Sequence, residues 1–98
     1  VRGAIGFDGL LIGDDLSMAA LRGEIGGRAR AAIDAGCDLV LHCNGVLKEM
    51  LAVAGACGTL SPQATTRVAA ARARISAAGP IGRLDPARLD ALLMRAAA

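Results

Sequence analysis

Two short, wholly apolar runs limit what this chain can fold into more than any other feature of its sequence. The first covers residues 10–13 and the second lies within residues 38–43. A run that is apolar at every position, rather than at alternate positions, is typical of a strand buried on both faces of a parallel sheet. Both runs are therefore predicted to be parallel strands, which need a connection that crosses over the sheet, usually a helix.

The segment between the two runs has the pattern of this helix. Apolar residues recur at helical spacing over residues 28–35, and Gly36 follows at a position where helices often end on a left-handed residue. Arg28 is predicted to reach solvent. In front of the helix, residues 17–21 are predicted to form a helical turn, and the glycines of residues 23–27 a loose connection.

The remainder of the chain is predicted to be helical. Apolar residues recur at helical spacing over residues 46–56. Ser61 and Asp85 each precede a proline, so each places a capping side chain before a proline at the first helical position. The helix after Ser61 is predicted to end near residues 77–78. Its arginines, including Arg67, are predicted to face mostly outward.

Two parallel strands alone leave backbone groups unpaired on both outer edges, so the predicted pair needs partners. Strand–helix units whose strands end in polar residues build the (β/α)8 barrel, a fold of about 250 residues. We therefore expect an α/β fold, the C-terminal part of a TIM-type barrel with its last two strands and flanking helices. Residues 1–45 would form the strand–helix–strand unit and residues 46–98 a helical tail. With no Met at its start, the chain is expected to begin inside a longer protein that supplies the remainder of the barrel.

Charge and composition argue against several classes of partner. Eleven Lys or Arg residues against nine Asp or Glu give a net charge of +2, which predicts neither a nucleic-acid-binding arm nor a basic membrane patch. With one Phe and no Tyr or Trp, the chain has no aromatic platform for bases. No stretch approaches the ~18 uncharged apolar residues of a membrane span. We expect no nucleic acid, no membrane and no cofactor.

Three cysteines, Cys37, Cys43 and Cys57, form an odd set without the spacing of a metal site. They are predicted to be reduced thiols, and the protein to be cytoplasmic, because disulfides persist mainly in oxidising compartments. No metal is expected.

Two adjacent carboxylates, Asp14 and Asp15, directly follow the first apolar run. At the carboxyl end of a barrel strand an acid faces the active-site mouth, where it can serve as nucleophile, general base or metal ligand. The competing interpretation is that the pair caps the turn beginning at Ser17, and the spacing does not separate the two. Neighbouring side chains of an extended segment point to opposite sides. Asp14 and Asp15 are therefore not expected to be the opposed carboxyls of a glycosidase, which lie about 5–5.5 Å apart in retaining enzymes.

Two runs carry a family resemblance. Residues 5–18, IGFDGLLIGDDLSM, closely resemble a segment of bacterial β-N-acetylglucosaminidases of glycoside hydrolase family 3. Residues 32–44, AIDAGCDLVLHCN, resemble the family's next strand segment at the expected separation. Together and in this order, the two runs form a specific match that covers residues 3 to about 45.

The resemblance implies a retaining exo-β-N-acetylglucosaminidase that removes terminal, non-reducing N-acetylglucosamine from muropeptides derived from peptidoglycan. It implies that Asp14 is the nucleophile and forms a covalent glycosyl-enzyme, which water hydrolyses with retention. Asp15 is expected to support the loop by hydrogen bonds, and Ser17 to cap the following turn. Gly13 departs from the Ser usual before the nucleophile, a change that leaves the carboxylate in place.

The resemblance also implies that the other catalytic parts lie upstream of this chain. These are a His on a mobile loop that acts as acid/base, an assisting Asp, and the Arg and Lys-His residues that bind the sugar. His42, the one histidine here, is instead predicted to be packed or hydrogen-bonded within the fold. Asn44 is predicted to form a turn, with lining of the pocket as the alternative. Without an acid/base, the 98 residues alone are predicted not to hydrolyse substrate. The alternative function is a non-catalytic α/β module that assembles with another chain.

Overall fold

Two strands and four helices make up the part of the chain that the computed structural model describes, residues 1–83 and 85–98. In chain order they are β1 (Ile12–Asp15), α1 (Ile25–Asp34), β2 (Leu39–Leu41), α2 (Leu47–Cys57), α3 (Pro62–Ala77) and α4 (Pro86–Ala97). Both predicted strands and all the predicted long helices are present, with shifted ends. Among the described helices, none combines the length and the apolar character needed to cross a bilayer.

The two strands pair in parallel, as the apolar runs predicted. Asp15 pairs with Leu41, and the pairing continues past β1 because the N–H of Leu16 donates to the carbonyl of Leu41 at 2.8 Å. β1 ends later than predicted, so Asp14 and Asp15 belong to the strand rather than to the loop after it. Side chains of a strand alternate between its faces, and in β1 Asp14 is exposed whereas Asp15 is half-buried.

One face of the strand pair is covered by α1 and α2. The core there consists of Leu16, Ala29 and Val53, with Val40 of β2 packed against it. The opposite face is open over the described residues: Ile12 of β1 is 52% exposed. Asp14 lies on this open side of β1 and Asp15 on the covered side.

α1 begins at Ile25, earlier than predicted, and takes in two glycines that the sequence assigned to a loose connection. Gly26 explains the difference. A Cβ placed at Gly26 would lie 3.5 Å from the backbone oxygen of Ala52 and 3.8 Å from Cβ of Ala56, so α1 and α2 approach closely there. Packing against α2 thus outweighs the low helix propensity of glycine.

The remaining helix ends follow the local signals. Gly36 has a φ of +109°, the left-handed conformation predicted after α1. The Ser61 hydroxyl accepts the N–H of Ala64 at 3.0 Å, and the Asp85 carboxylate accepts the N–H of Ala87 at 3.1 Å. Both predicted capping residues therefore cap α3 and α4.

The two C-terminal helices bury few residues. Ala64 is the buried residue of α3, and no described residue of α4 is buried. Leu92 and Leu93 of α4 are more than half exposed. The Cα radius of gyration is 18.1 Å, whereas a compact domain of this length has a radius of about 13 Å. The apolar stripe of α4 is thus uncovered within the described residues.

The expected two strands and flanking helices are present, but over the described residues they do not form a barrel. Over the described residues the sheet has two strands, and of the four helices α4 buries nothing against it. Apolar runs and helix caps are local signals: they specify a strand–helix–strand unit but not the number of strands around it. The place of the unit in a larger fold needs information that these signals do not carry.

Candidate active site

Asp14 is the exposed carboxylate at the carboxyl end of β1. Its Oδ1 accepts the backbone N–H of Asp15 at 2.7 Å, and within the described residues it forms no ion pair. Asp14 also lines a cavity of about 510 Å³ beside α1, together with Asp15, Arg22 and Arg28. An exposed, unpaired carboxylate next to a cavity is available to a substrate.

Asp15 has the opposite environment. Its carboxylate accepts the N–H of Ser17 at 3.0 Å, the Ser17 hydroxyl at 2.5 Å and the N–H of Cys43 at 3.2 Å. The Ser17 hydroxyl, then the Ser17 and Cys43 N–H groups, hold the pKa of Asp15 below its ordinary value because they bind the ionised form. Asp15 therefore joins the turn after β1 to the end of β2, the supporting role predicted for it.

The segment after β1, residues 16–24, forms hydrogen-bonded turns rather than a helix. The N–H of Met18 donates to the carbonyl of Asp15 at 3.3 Å, and that of Leu21 to the carbonyl of Met18 at 3.1 Å. Ser17 directs its hydroxyl back to Asp15. The predicted turn is present, but the acceptor at its start is the Asp15 carboxylate rather than the Ser17 hydroxyl. The cap expected from Ser17 is therefore supplied by Asp15, as the competing interpretation of the acidic pair had it.

Arg28 is a site residue that sequence reasoning missed. It was predicted to reach solvent, but its guanidinium donates to the carbonyls of Leu16 (2.8 Å), Gly23 (2.9 Å) and Met18 (3.3 Å). All three acceptors are backbone oxygens, which have no signature in the sequence. The sole available signal was the position of Arg28 within the first turns of α1, facing the segment that precedes the helix.

His42 lies beneath α2, with its side chain 5% exposed. Nε2 is 3.2 Å from Oε2 of Glu49, yet neither ring nitrogen has a hydrogen-bond partner among the described residues. His42 is thus packed, which is one of the two environments predicted for it, and it does not face the open side of the sheet. It is not placed to protonate a leaving group beside Asp14.

Asn44 forms the turn predicted for it. Its side-chain oxygen accepts the N–H of Val46 at 3.0 Å, and its amide nitrogen donates to the Glu49 carboxylate. Asn44 therefore organises the start of α2, whose N-cap Val46 has no side-chain acceptor of its own. No role for Asn44 in lining the cavity beside Asp14 is observed.

A second cluster of charge lies at the amino end of the strands. Asp38, with its side chain 4% exposed, accepts from Arg2 (2.5 Å), Arg67 (2.9 Å) and the N–H of Leu11 (2.9 Å). Arg67 was predicted to face outward. Burial raises the pKa of Asp38, but the bond from Leu11, the bond from Arg67 and the charges of both arginines outweigh it, so the pKa lies below its ordinary value. Within the described residues, no cluster of three or more His, Cys, Asp and Glu side chains has the geometry of a metal site.

The model of the glycosyl hydrolase family 3 N-terminal domain matches residues 1–78. The chain belongs to this family. The resemblance carried by residues 5–18 and 32–44 is thereby confirmed.

Named relatives agree with the family. The chain is 40% identical over 82 residues to a "Beta-hexosaminidase" of Aromatoleum aromaticum, covering 82% of this chain and 23% of the relative. It is 52% identical over 46 residues to one of Bordetella avium, covering 45% and 13%. It is 46% identical over 59 residues to one of Xanthomonas campestris, covering 56% and 18%. The chain thus spans at most about a quarter of the length of these relatives. No solved structure matches it significantly.

The family 3 match also corrects the expected position of the chain. The matching domain is the N-terminal one, so the assignment to the C-terminal part of a (β/α)8 barrel is wrong. At Gly13, where the resemblance leads one to expect Ser, a Cβ would lie 3.7 Å from Sγ of Cys37 and 3.8 Å from the carbonyl oxygen of Leu39. These are ordinary van der Waals separations, so Gly13 is not required by crowding.

Proposed function

We propose that this chain supplies the nucleophile, Asp14, of a retaining exo-β-N-acetylglucosaminidase. The observation that carries the proposal is the contrast between two adjacent carboxylates at the end of β1. Both line the same cavity and neither pairs with a cation among the described residues, but the Asp15 carboxylate is half-buried and accepts three hydrogen bonds, whereas that of Asp14 is exposed and accepts one. Membership of glycosyl hydrolase family 3 and relatives named beta-hexosaminidase support the same activity.

In this mechanism a carboxylate oxygen of Asp14 attacks the anomeric carbon, and the bond to the leaving-group oxygen breaks. That oxygen takes a proton from a general acid. Water, deprotonated by the same group, then attacks the anomeric carbon of the glycosyl-enzyme and releases Asp14 with the configuration retained.

Neither neighbouring group in this chain is placed to be the general acid. The Asp15 carboxylate accepts three hydrogen bonds, chief among them that of the Ser17 hydroxyl, and its lowered pKa favours the ionised form. His42 is buried beneath α2. We therefore propose that the acid/base and the sugar-binding residues come from other parts of the enzyme, as the family resemblance implies, and we expect the 98 residues alone to show no turnover.

The substrate we propose is a muropeptide derived from peptidoglycan with N-acetylglucosamine at its non-reducing end. The resemblance of residues 5–18 to bacterial β-N-acetylglucosaminidases supports this choice. We further propose a cytoplasmic location, and the three free thiols at Cys37, Cys43 and Cys57 support it.

The test replaces Asp14 in the complete enzyme. Asp14→Ala should lower kcat for an aryl β-N-acetylglucosaminide by at least about 10⁴-fold, the scale of loss when a nucleophile is removed. A fluorinated N-acetylglucosamine donor that is hydrolysed slowly should covalently label the wild-type enzyme. Mass spectrometry should find the label on the peptide that contains Asp14. Asp90→Asn, an exposed carboxylate of α4, is the control and should leave both results unchanged. Retained hydrolysis by Asp14→Ala, or a label on another peptide, would refute the assignment.

A further inference from the structure

We propose that Arg28 is a positioning residue for Asp14: its guanidinium holds the segment that follows β1 and so fixes where the nucleophile points. The inference rests on the proposed role of Asp14. The segment is residues 16–24, between the end of β1 and the start of α1, and is called the β1–α1 loop.

One side chain joins the two ends of the β1–α1 loop. Nη1 of Arg28 donates to the carbonyl of Leu16 at 2.8 Å and to that of Met18 at 3.3 Å, while Nε donates to the carbonyl of Gly23 at 2.9 Å. A planar guanidinium presents several donors in a fixed arrangement, so it can hold separate acceptors in one geometry. Arg28 therefore links the start of the β1–α1 loop to its end.

Residues 18–24 of the β1–α1 loop have little other support, whereas Leu16 is buried and Ser17 is bound to Asp15. Every residue from 18 to 24 is exposed, including Met18 at 42% and Leu21 at 40%. Its internal backbone bonds are turn contacts, such as Leu21 N–H to Met18 O at 3.1 Å. Gly23 has a φ of +87°, which a residue with a side chain adopts only with strain. Residues 18–24 thus depend on Arg28 for their conformation more than on burial.

Movement of the β1–α1 loop reaches Asp14 through Leu16. Leu16 is held at three points: its N–H donates to Leu41 O at 2.8 Å, its side chain is 3% exposed in the core, and its carbonyl accepts from Arg28. Asp14 lies two residues before it and lines the same cavity as Arg28. A displacement of about 1 Å in a reacting group can cost roughly 100-fold in rate.

Arg30 provides a matched control on the same helix. Its guanidinium pairs with Asp34 at 2.6 Å, and both side chains are more than half exposed. Exposed pairs of this kind contribute little to stability. Arg28 and Arg30 therefore share residue type and helix, and they differ in whether the guanidinium holds the β1–α1 loop.

The experiment compares three variants of the complete enzyme. Arg28→Ala should lower kcat for an aryl β-N-acetylglucosaminide about 100-fold and change KM less than about threefold. Arg28→Lys keeps the charge but not the planar donors, and should lower kcat about 10-fold. Millimolar guanidinium should restore part of the kcat of Arg28→Ala. Arg30→Ala should match wild type throughout.

Amide hydrogen exchange of residues 16–24 adds a measurement that needs no activity. Protection should fall in Arg28→Ala and stay at the wild-type level in Arg30→Ala. Lost protection with unchanged kcat would overturn the positioning role and leave Asp14 as nucleophile intact. If Arg28→Ala raised KM by as large a factor as it lowered kcat, and guanidinium restored neither, Arg28 would have a general structural role. That result would also overturn the positioning role. Full activity in Asp14→Ala would instead remove the proposed function, and with it this inference.

Discussion

The two ends of the strand pair are built from the same parts and differ in charge. At the carboxyl end, Asp15 of β1 reaches across to the N–H of Cys43 after β2. At the amino end, Asp38 before β2 reaches across to the N–H of Leu11 before β1. Each carboxylate thus ties one strand to the segment that flanks the other.

Each end also has an arginine that binds backbone carbonyls. Arg28 holds the β1–α1 loop, and Arg2 donates to the carbonyls of Phe7 (2.9 Å), Gly9 (2.6 Å) and Gly36 (3.2 Å). The difference is that Arg2 also binds Asp38, at 2.5 Å, whereas Asp15 accepts only from uncharged groups.

We infer from this difference that the amino end stabilises the fold and that the carboxyl end carries the proposed chemistry. At the amino end, negative charge is neutralised by Arg2 and by Arg67, which also binds Asp8 at 2.7 Å. At the carboxyl end, no described cation pairs with the carboxylates of β1, so Asp14 is free of ion pairs among the described residues. A nucleophile needs that freedom, because a carboxylate in a close ion pair is a weaker nucleophile.

The largest expected effect tests the amino end. Asp38→Asn leaves two arginines without their shared carboxylate, and should lower the free energy of unfolding by about 3 kcal/mol, the lower part of the range for a broken buried ion pair. The lower part applies because the arginine side chains remain 22% exposed. Denaturant unfolding of the complete enzyme measures the change. The kcat per folded molecule should be unchanged, and a large loss of kcat would break the separation between the two ends.

The next effect tests the carboxyl end. Asp15→Ala removes all three hydrogen bonds to its carboxylate and frees the turn that follows Asp14. The kcat should fall about 100-fold through misplacement of Asp14, the proposed nucleophile, with a smaller loss of stability than in Asp38→Asn. Steady-state kinetics and thermal melts measure the two quantities. Wild-type kcat in Asp15→Ala would show that Asp14 holds its position without this support.

The parts of the fold that depend on neighbouring residues could be predicted from the sequence. The apolar runs predicted both strands, Gly36 predicted a left-handed residue after α1, and Ser61 and Asp85 predicted their caps. Each of these follows from a few adjacent residues and their backbone preferences. The assignment to the end of a barrel failed because it needed the arrangement of segments that no local pattern encodes.

Two arginines show the same limit of prediction from local sequence patterns. Arg28 and Arg67 were predicted to face solvent, since a long charged side chain on a helix usually does. Arg28 instead binds carbonyls, and every residue offers a carbonyl, so the sequence pattern does not mark the acceptors. Arg67 meets Asp38 across 29 residues of chain, a contact set by the packing of α3. The role of Asp15 was predictable because Ser17 lies two residues away.

The smallest expected effect is a difference in acid sensitivity between the carboxylates of the amino end. Asp38 and Asp8 both have a lowered pKa in the folded protein, Asp38 despite its burial and Asp8 chiefly through its hydrogen bond from Arg67. A lowered folded pKa adds stability that is complete above the unfolded value of about 3.9 and is lost as pH falls through the folded pKa. The free energy of unfolding should therefore decline below about pH 4.

Asp38→Asn should flatten this decline, because the variant has no carboxyl to protonate at that position. Asp8→Asn is the matched control: Asp8 shares Arg67, but its side chain is 92% exposed, so salt screens its contribution. Urea unfolding between pH 3 and pH 6, at low and at high salt, separates the two. If Asp8→Asn flattened the decline as much as Asp38→Asn at high salt, the buried carboxylate would not be the group that secures the amino end.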